Sequence, residues 1–234
     1  MRSFFGHIVF TATLVVAPIG IAFAHGGGPS GGSSGMVSAT PHSPVDAAKS
    51  AYNAGVRNIK KALDYDADAA KASTPEKAAK AHDKAQKAYH DAVSSFIDAV
   101  GADHKMYEAW NYLGFANRHL GNYDDALSSY AKALEINPNY PDAIEYRGEA
   151  YLGLNQIEEA KGAYMALFRD SRPLADELMA AMHHWADARR KDAQGLSSAD
   201  VEAFAKWMDE RVGIAAQTAS LAIGAAQPWR QGLR

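Results

Sequence analysis

The chain has 234 residues, a formal net charge of −3 and a hydrophobic content of 47%. This length allows one or two ordinary domains, and this hydrophobic content is that of a protein able to bury a core. The mildly acidic balance, with no basic stripe, argues against a nucleic-acid partner. Because the chain has no cysteine, it forms no disulfide, no thiolate metal site and no cysteine nucleophile.

The N-terminal segment is typical of an export signal. Arg2 precedes an uncharged apolar run from Ile8 to Ala24, and the run ends in the small-x-small motif Ala-Phe-Ala that a signal peptidase requires. Residues 1–24 are therefore predicted to be a signal peptide cleaved before His25, which makes the mature chain periplasmic or secreted, with no integral membrane span. An uncleaved membrane anchor is the alternative, but a proline and a glycine interrupt the run and no stop-transfer charges follow it.

Residues 25–45 are rich in Gly, Ser and Pro, and such a segment buries too little apolar surface to repay its ordering entropy, so we predict a flexible linker. A mature N-terminal His25 suggests copper binding through its amine and imidazole, as in histidine-brace oxygenases. Those enzymes hold the brace on a rigid β-sandwich, whereas glycines follow here and no segment is strand-like. We expect no metal site and no cofactor, and a metal-binding exported protein stays as an alternative.

Residues 46–106 are predicted to form an N-terminal helical hairpin. Its first helix begins near Pro44, carries apolar residues at helical spacing and ends after Asp68. Its second helix begins at Thr74, a suitable cap followed by a proline at the first helical position, and continues to Val100.

The centre of the chain repeats one pattern of small and large apolar residues at an offset of 34 residues. In the first copy one helix ends at a Gly-Asn pair, and a second helix follows and ends at Asn-Pro. A period of this length indicates an array of helical repeats. The residues that define the first copy are Trp110, Leu113, Gly114, Ala126, Tyr130 and Pro138, and those that return in the second are Gly148, Leu154, Ala160 and Tyr164.

This pattern closely resembles the tetratricopeptide repeat (TPR), whose signature of Trp, Leu-Gly, Tyr, Ala, Phe and Pro is met by the first copy, except that Asn117 replaces the first Tyr. The second copy departs further, with Ile144 in place of Trp. The resemblance implies an all-α fold, a TPR-like α-solenoid of antiparallel helical hairpins, with two repeats over residues 107–172. Residues 46–106 are then a degenerate, lengthened first repeat.

The C-terminal region, residues 173–234, is predicted to contain capping helices and a tail. One helix begins at Arg172, and a final helix begins at Ser197 with Asp200 as its capping-box partner. Such a pair is suited to cover the end of a solenoid. The residues predicted to form the buried face of the final helix are Phe204, Trp207, Met208 and Val212.

TPR arrays usually bind a protein or peptide on the concave surface formed by the first helix of each repeat, and the resemblance implies the same here. The residues of those helices that lie outside the predicted packing positions are expected to face this groove. They are Glu108, Asn111, Tyr112, Phe115, Arg118 and His119 in the first repeat, and Asp142, Glu145, Tyr146, Glu149 and Leu152 in the second.

The predicted groove is aromatic and mostly acidic, which favours a basic or aromatic partner segment through charge pairing and cation–π contact. No catalytic motif accompanies it, neither a Gly-rich phosphate loop nor a nucleophile elbow nor a His-Glu-x-x-His helix. We therefore expect an exported, noncatalytic adaptor or scaffold. The alternative from another class is a structural protein that forms a homo-oligomer through its C-terminal helices. Replacing Tyr112 and Tyr146 by Ala is expected to abolish partner binding and to leave the fold intact.

Overall fold

The computed structural model describes residues 43–225, with side chains up to residue 218. This part of the chain contains eight α-helices and no strand, so the fold is all-α as predicted. The predicted signal peptide, nearly all of the predicted linker and the end of the tail lie outside the described residues. The helices are α1 Pro44–Ala70, α2 Pro75–Ala102, α3 Tyr107–His119, α4 Tyr123–Ile136, α5 Pro141–Gly153, α6 Ile157–Asp170, α7 Arg172–Lys191 and α8 Ser198–Ala225.

Successive helices pair as hairpins, α1 with α2, α3 with α4, α5 with α6 and α7 with α8. The second helix of each hairpin also packs on the first helix of the next one, and the first helices α1, α3, α5 and α7 lie side by side. Each hairpin therefore contacts mainly its neighbours along the chain, which is the packing of a solenoid. The predicted TPR-like α-solenoid is confirmed.

Small residues let the helices of the repeats approach closely. A Cβ atom added at Gly114 would lie 2.6 Å from the Tyr130 ring, and one added at Gly148 would lie 2.7 Å from a methyl group of Leu178. Ala126 and Ala160 are fully buried in the same interfaces. Interiors this closely packed leave no space for larger side chains.

Side-chain caps define where two of the longest helices begin. The Thr74 hydroxyl oxygen accepts a hydrogen bond from the Lys77 backbone N–H at 3.3 Å, which satisfies one free donor at the start of α2. At the start of α8 the Asp200 N–H donates to the Ser197 hydroxyl oxygen at 3.1 Å, and the Ser197 hydroxyl donates to the Asp200 carboxylate at 2.6 Å. Both caps are at the predicted residues.

The α1–α2 hairpin is about twice as long as those of the repeats, because its helices have 27 and 28 residues whereas α3 and α4 have 13 and 14. At 1.5 Å per residue it extends about 20 Å farther. No residue between Ala62 and Ala85 is buried. The closed end of this hairpin is thus an arm of two helices with only a thin contact layer between them.

Helix α8 also extends beyond its packing partner. Val201, Phe204 and Met208 are buried against α7, but Val212 is 48% exposed, which corrects its predicted place in the buried face. The reason is length, since α7 has 20 residues and α8 has 28. Among the described helices, none combines the length and apolar character needed to cross a bilayer.

Candidate functional site

The predicted groove residues differ widely in exposure. Because α1 and α5 flank α3, much of the face that helical spacing selects is covered by neighbouring helices. Asn111, Phe115, Arg118, Glu145 and Leu152 are buried, and these five side chains do not face an open groove. Glu108, Tyr112, His119, Asp142, Tyr146 and Glu149 are partly exposed. The binding role of all of them stays a prediction.

The open part of this face lies at the N-terminal ends of α3 and α5, where α1 packs beside α3. Tyrosine rings from α1, α3 and the cap of α5 meet carboxylates from α3 and α5 there, and every one of these residues is partly exposed. We call this surface the tyrosine–acid patch, and it consists of Tyr52, Tyr107, Glu108, Tyr112, Tyr140 and Asp142.

Ring contacts hold the tyrosines of the patch in place. The ring centroids of Tyr52 and Tyr112 are 6.0 Å apart and those of Tyr107 and Tyr140 are 4.9 Å apart, and both pairs meet edge to face. This is a favoured geometry for aromatic pairs. Tyr112 also stacks on Phe96 of α2 at 5.7 Å. The surface offered to a ligand is therefore preorganised.

The electrostatic environment of the patch disfavours added negative charge. Burial, followed by the neighbouring Tyr112 and Glu108, raises the pKa of the Tyr52 hydroxyl to about 12. Burial also raises the pKa of Tyr140, with a further contribution from the Asp142 carboxylate. Among the described residues, no Lys or Arg forms a salt bridge with either carboxylate of the patch. Such a surface attracts a cationic group.

Farther along α3 and α5 the same face is closed by an ion cluster, which we define as Arg118, Glu145 and Glu149. The Arg118 guanidinium lies 2.5 Å from the Glu149 carboxylate, and 5.3 Å and 5.6 Å from the ring centroids of Phe115 and Tyr146. Burial is the largest single influence and would lower the pKa of Arg118, but Glu149, Tyr130 and Glu145 together outweigh it and the pKa is raised. Arg118 is thus a buried structural ion and not a cation available to a ligand.

Two titratable groups beside this arginine are driven towards their neutral forms. Burial, and then the nearby Glu149, raises the pKa of Glu145 well above its usual range, although Arg118 opposes the shift. Burial, and then the charge of Arg118, lowers the pKa of His119 well below its usual value. The His119 ring stacks on Tyr89 at 4.6 Å. The side chains around Arg118 are therefore held by packing and by charge compensation.

Sequence reasoning does not find three members of the patch, Tyr52, Tyr107 and Tyr140. Tyr107 and Tyr140 are 33 residues apart, nearly one repeat length, so the repeat register could have placed them at equivalent ends of α3 and α5. Tyr52 carries no such signal, because the first hairpin lacks the repeat signature and its tyrosine is indistinguishable from a core residue of α1.

Two family models, both described as tetratricopeptide repeat, match residues 107–140 and 129–162. The first match spans α3 and α4, and the second runs from within α4 into α6. Together they show that residues 107–162 contain tetratricopeptide repeats. No curated protein matches the chain. TPR units typically serve as noncatalytic interaction modules, and their presence suggests a scaffold for protein–protein interaction with protein partners.

In the described part of the chain, no three His, Asp or Glu side chains are grouped so that they could hold a metal ion. The copper alternative depends on His25, which lies outside the described residues.

Proposed function

We propose that the chain is an exported, noncatalytic adaptor whose tyrosine–acid patch binds a basic segment of a partner protein. The observation that carries the proposal is the convergence of four tyrosines and two carboxylates, from three helices, on one partly exposed surface. The segment enters the concave side of the solenoid at the N-terminal ends of α3 and α5.

The chemistry of the patch matches Lys and Arg side chains in two ways. A tyrosine face attracts a cation by about 0.5–2 kcal/mol depending on desolvation, and the carboxylates of Glu108 and Asp142 pair with the same groups. Tyrosine rings also supply apolar contact area at low entropic cost, which is why they are frequent in binding hot spots.

Longer-range charge favours the same partner. Between residues 107 and 218 the chain has 18 Asp and Glu against 11 Lys and Arg, so the repeats and capping helices form an acidic body. Acidic surfaces accelerate the encounter with basic segments and repel acidic ones.

The test is a selection of peptides from a random phage-displayed library on the full chain, purified after expression in a bacterium. We expect enrichment of Lys, Arg and aromatic residues, and synthetic copies of the selected peptides then serve as labelled probes in fluorescence anisotropy. The variant Glu108→Gln/Asp142→Asn should weaken these probes about tenfold, because two charge contacts are lost while side-chain volume is kept.

A matched control is available on the second helices of the repeats. The variant Asp124→Asn/Glu159→Gln makes the same charge change at exposed residues in the first turns of α4 and α6, so it carries the same helix-dipole cost. It should bind the probes like the unmodified chain. Equal weakening by both variants, or selected peptides without basic residues, would contradict the proposal.

The export part of the proposal rests on Arg2, the apolar run to Ala24 and the small-x-small motif. Expression in a bacterium, followed by fractionation and N-terminal sequencing, should recover from the periplasm a chain that begins at His25. A chain retained in the cytoplasm at full length would refute this part and leave the binding proposal standing.

Self-association is a second candidate, favoured by the extension of α8 beyond α7, where Val212 and Ile214 are exposed. The occupant in this case is the exposed part of α8 in a second copy. Sedimentation velocity over a wide concentration range should show a dimer that the variant Val212→Ser/Ile214→Ser abolishes. A monomer at all concentrations would remove this candidate.

A further inference from the structure

A cleft of about 340 Å³ lies at the closed end of the α1–α2 arm, away from the tyrosine–acid patch. It is formed where the C-terminal turns of α1 face the N-terminal turns of α2. The side chains that matter to its chemistry are Lys71, Lys77, Lys80, Lys84, Tyr65 and Asp68.

Positive charge dominates this cleft, since four lysines and one aspartate line it. Within the described residues none of the four lysines is in a salt bridge. The Lys77 ammonium donates to the Ser73 hydroxyl oxygen at 3.3 Å, and the Lys84 ammonium lies 5.3 Å from the centroid of the Tyr65 ring. These contacts do not neutralise the lysines, and Asp68 is the one carboxylate among the lining residues, so the cleft keeps a net positive charge.

The spacing of the lysines in the cleft has an electrostatic cost. Lys77, Lys80 and Lys84 follow one another at spacings of three and four residues, so they form a stripe on one side of α2, where like charges repel. The two helix dipoles do not offset this repulsion, because the C-terminus of α1 and the N-terminus of α2 lie at the same end and largely cancel. A bound anion would relieve the repulsion between the lysines.

The cleft also stands out from the rest of the molecule. The body formed by residues 107–218 is acidic, whereas residues 44–102 contain nine Lys and Arg and eight Asp and Glu. The basic cleft is therefore a local feature of the arm and not part of a general basic surface.

We propose that this cleft binds a phosphate-bearing ligand. A phosphate group carries up to two charges and several acceptor oxygens, and lysines bind it as point charges with three donors each. A lipid headgroup and a soluble polyphosphate supply this same chemistry. The site has the opposite charge to the tyrosine–acid patch and does not depend on the proposed adaptor function.

Two probes distinguish the sources, and both use the full chain. Tripolyphosphate is titrated by isothermal calorimetry, and flotation measures binding to vesicles of phosphatidylcholine with or without phosphatidic acid. The variant Lys80→Gln/Lys84→Gln should weaken binding about tenfold or more, because two charge-assisted contacts are removed. The variant Lys80→Arg/Lys84→Arg keeps the charge and should retain binding.

The control variant Lys49→Gln/Lys105→Gln removes two exposed lysines outside the cleft and should bind like the unmodified chain. Circular dichroism confirms that each variant is folded. Tripolyphosphate binding supports a soluble ligand, and binding only to vesicles with phosphatidic acid supports a headgroup. The proposal is overturned if neither probe binds, if the control weakens binding equally, or if citrate competes as well as phosphate does.

Discussion

Two parts of the α3–α5 face present charged and aromatic residues in opposite settings: the tyrosine–acid patch, and the region around Arg118, Glu145 and Glu149, which we call the closed region. At the N-terminal ends, Glu108 and Asp142 remain partly exposed among tyrosine rings, whereas farther along Arg118 and Glu145 are 4% and 3% exposed. The rings of Phe115 and Tyr146 lie against the Arg118 guanidinium in the closed region. A helix period thus selects a face, but the neighbouring elements decide whether that face becomes a surface or an interior.

The largest effect should come from removing the central charge of the closed region. Arg118→Met removes the buried cation that pairs with the partly exposed Glu149 and lies near the buried Glu145. Removing one partner of a buried pair costs about 3–5 kcal/mol. We expect urea unfolding at neutral pH to show a loss of this size.

The matched control is Arg190→Met. Arg190 pairs with Asp187 and Glu202, but its side chain is 41% exposed, and surface pairs contribute about 0–1 kcal/mol. If the two variants lose equal stability, the ion cluster is not closed and the contrast between the two regions fails.

A second prediction concerns the packing beneath both regions. Gly114→Leu places a side chain against the Tyr130 ring, where even a Cβ would lie 2.6 Å away, and overpacking of this kind costs about 1–3 kcal/mol. Gly162→Leu in α6 is the control, because nothing lies within 4 Å of its added Cβ. It should gain stability, since glycine is about 0.8–1 kcal/mol worse than alanine within a helix. Equal effects on the thermal melting of the two variants would argue against the α3–α4 pairing.

Much of the fold could be predicted because its determinants are local. The repeat register is visible in Gly114 and Gly148, whose missing side chains are needed at close helix contacts. The beginnings of α2 and α8 follow from Thr74 and Ser197, which cap helices through atoms only three residues away. Interactions of this range leave a direct trace in the sequence.

The exposure and the contacts of the candidate-site residues could not be predicted in the same way. Burial of Arg118 depends on Glu149, 31 residues later and on another helix, and spacing within one helix carries no information about such a pair. Tyr52 belongs to a hairpin without the repeat signature, so its contact with Tyr112 has no sequence marker. That contact also revises the expected neutrality of Tyr112→Ala for the fold, because the lost ring packs on three others.

The third prediction tests the protonation of the closed region. Glu145 is surrounded by Glu149, Arg118 and the more distant Glu177, and its pKa is raised when the protein is folded. A raised pKa gives a stability contribution that is fully present below the unfolded value of about 4.5 and is lost as the pH rises through the folded value. Glu145→Gln is neutral at every pH, so the variant should gain stability relative to the unmodified chain as the pH rises.

Thermal melts of both proteins between pH 4.5 and neutral pH measure this difference. His119 titrates with the opposite sign, since its lowered pKa gives a contribution that is present above about 6.5 and is lost as the pH falls through the folded value. Because His119 is present in both proteins, its effect largely cancels in the comparison. A difference that does not change with pH would show that Glu145 titrates as an exposed glutamate does.

The smallest expected effect is the loss of a single tyrosine hydroxyl group, which we compare between the tyrosine–acid patch and the closed region. Tyr112→Phe keeps the ring that packs on Tyr52 and Phe96, so its unfolding free energy should change by no more than about 0.5 kcal/mol. Its affinity for the selected basic peptides should fall about fivefold, because one hydrogen-bonding group worth about 1 kcal/mol is lost from the patch. Tyr146→Phe removes the same group from the closed region and should leave affinity unchanged. Equal loss of affinity in both variants would mean that the bound segment reaches past the patch and opens the region around Arg118.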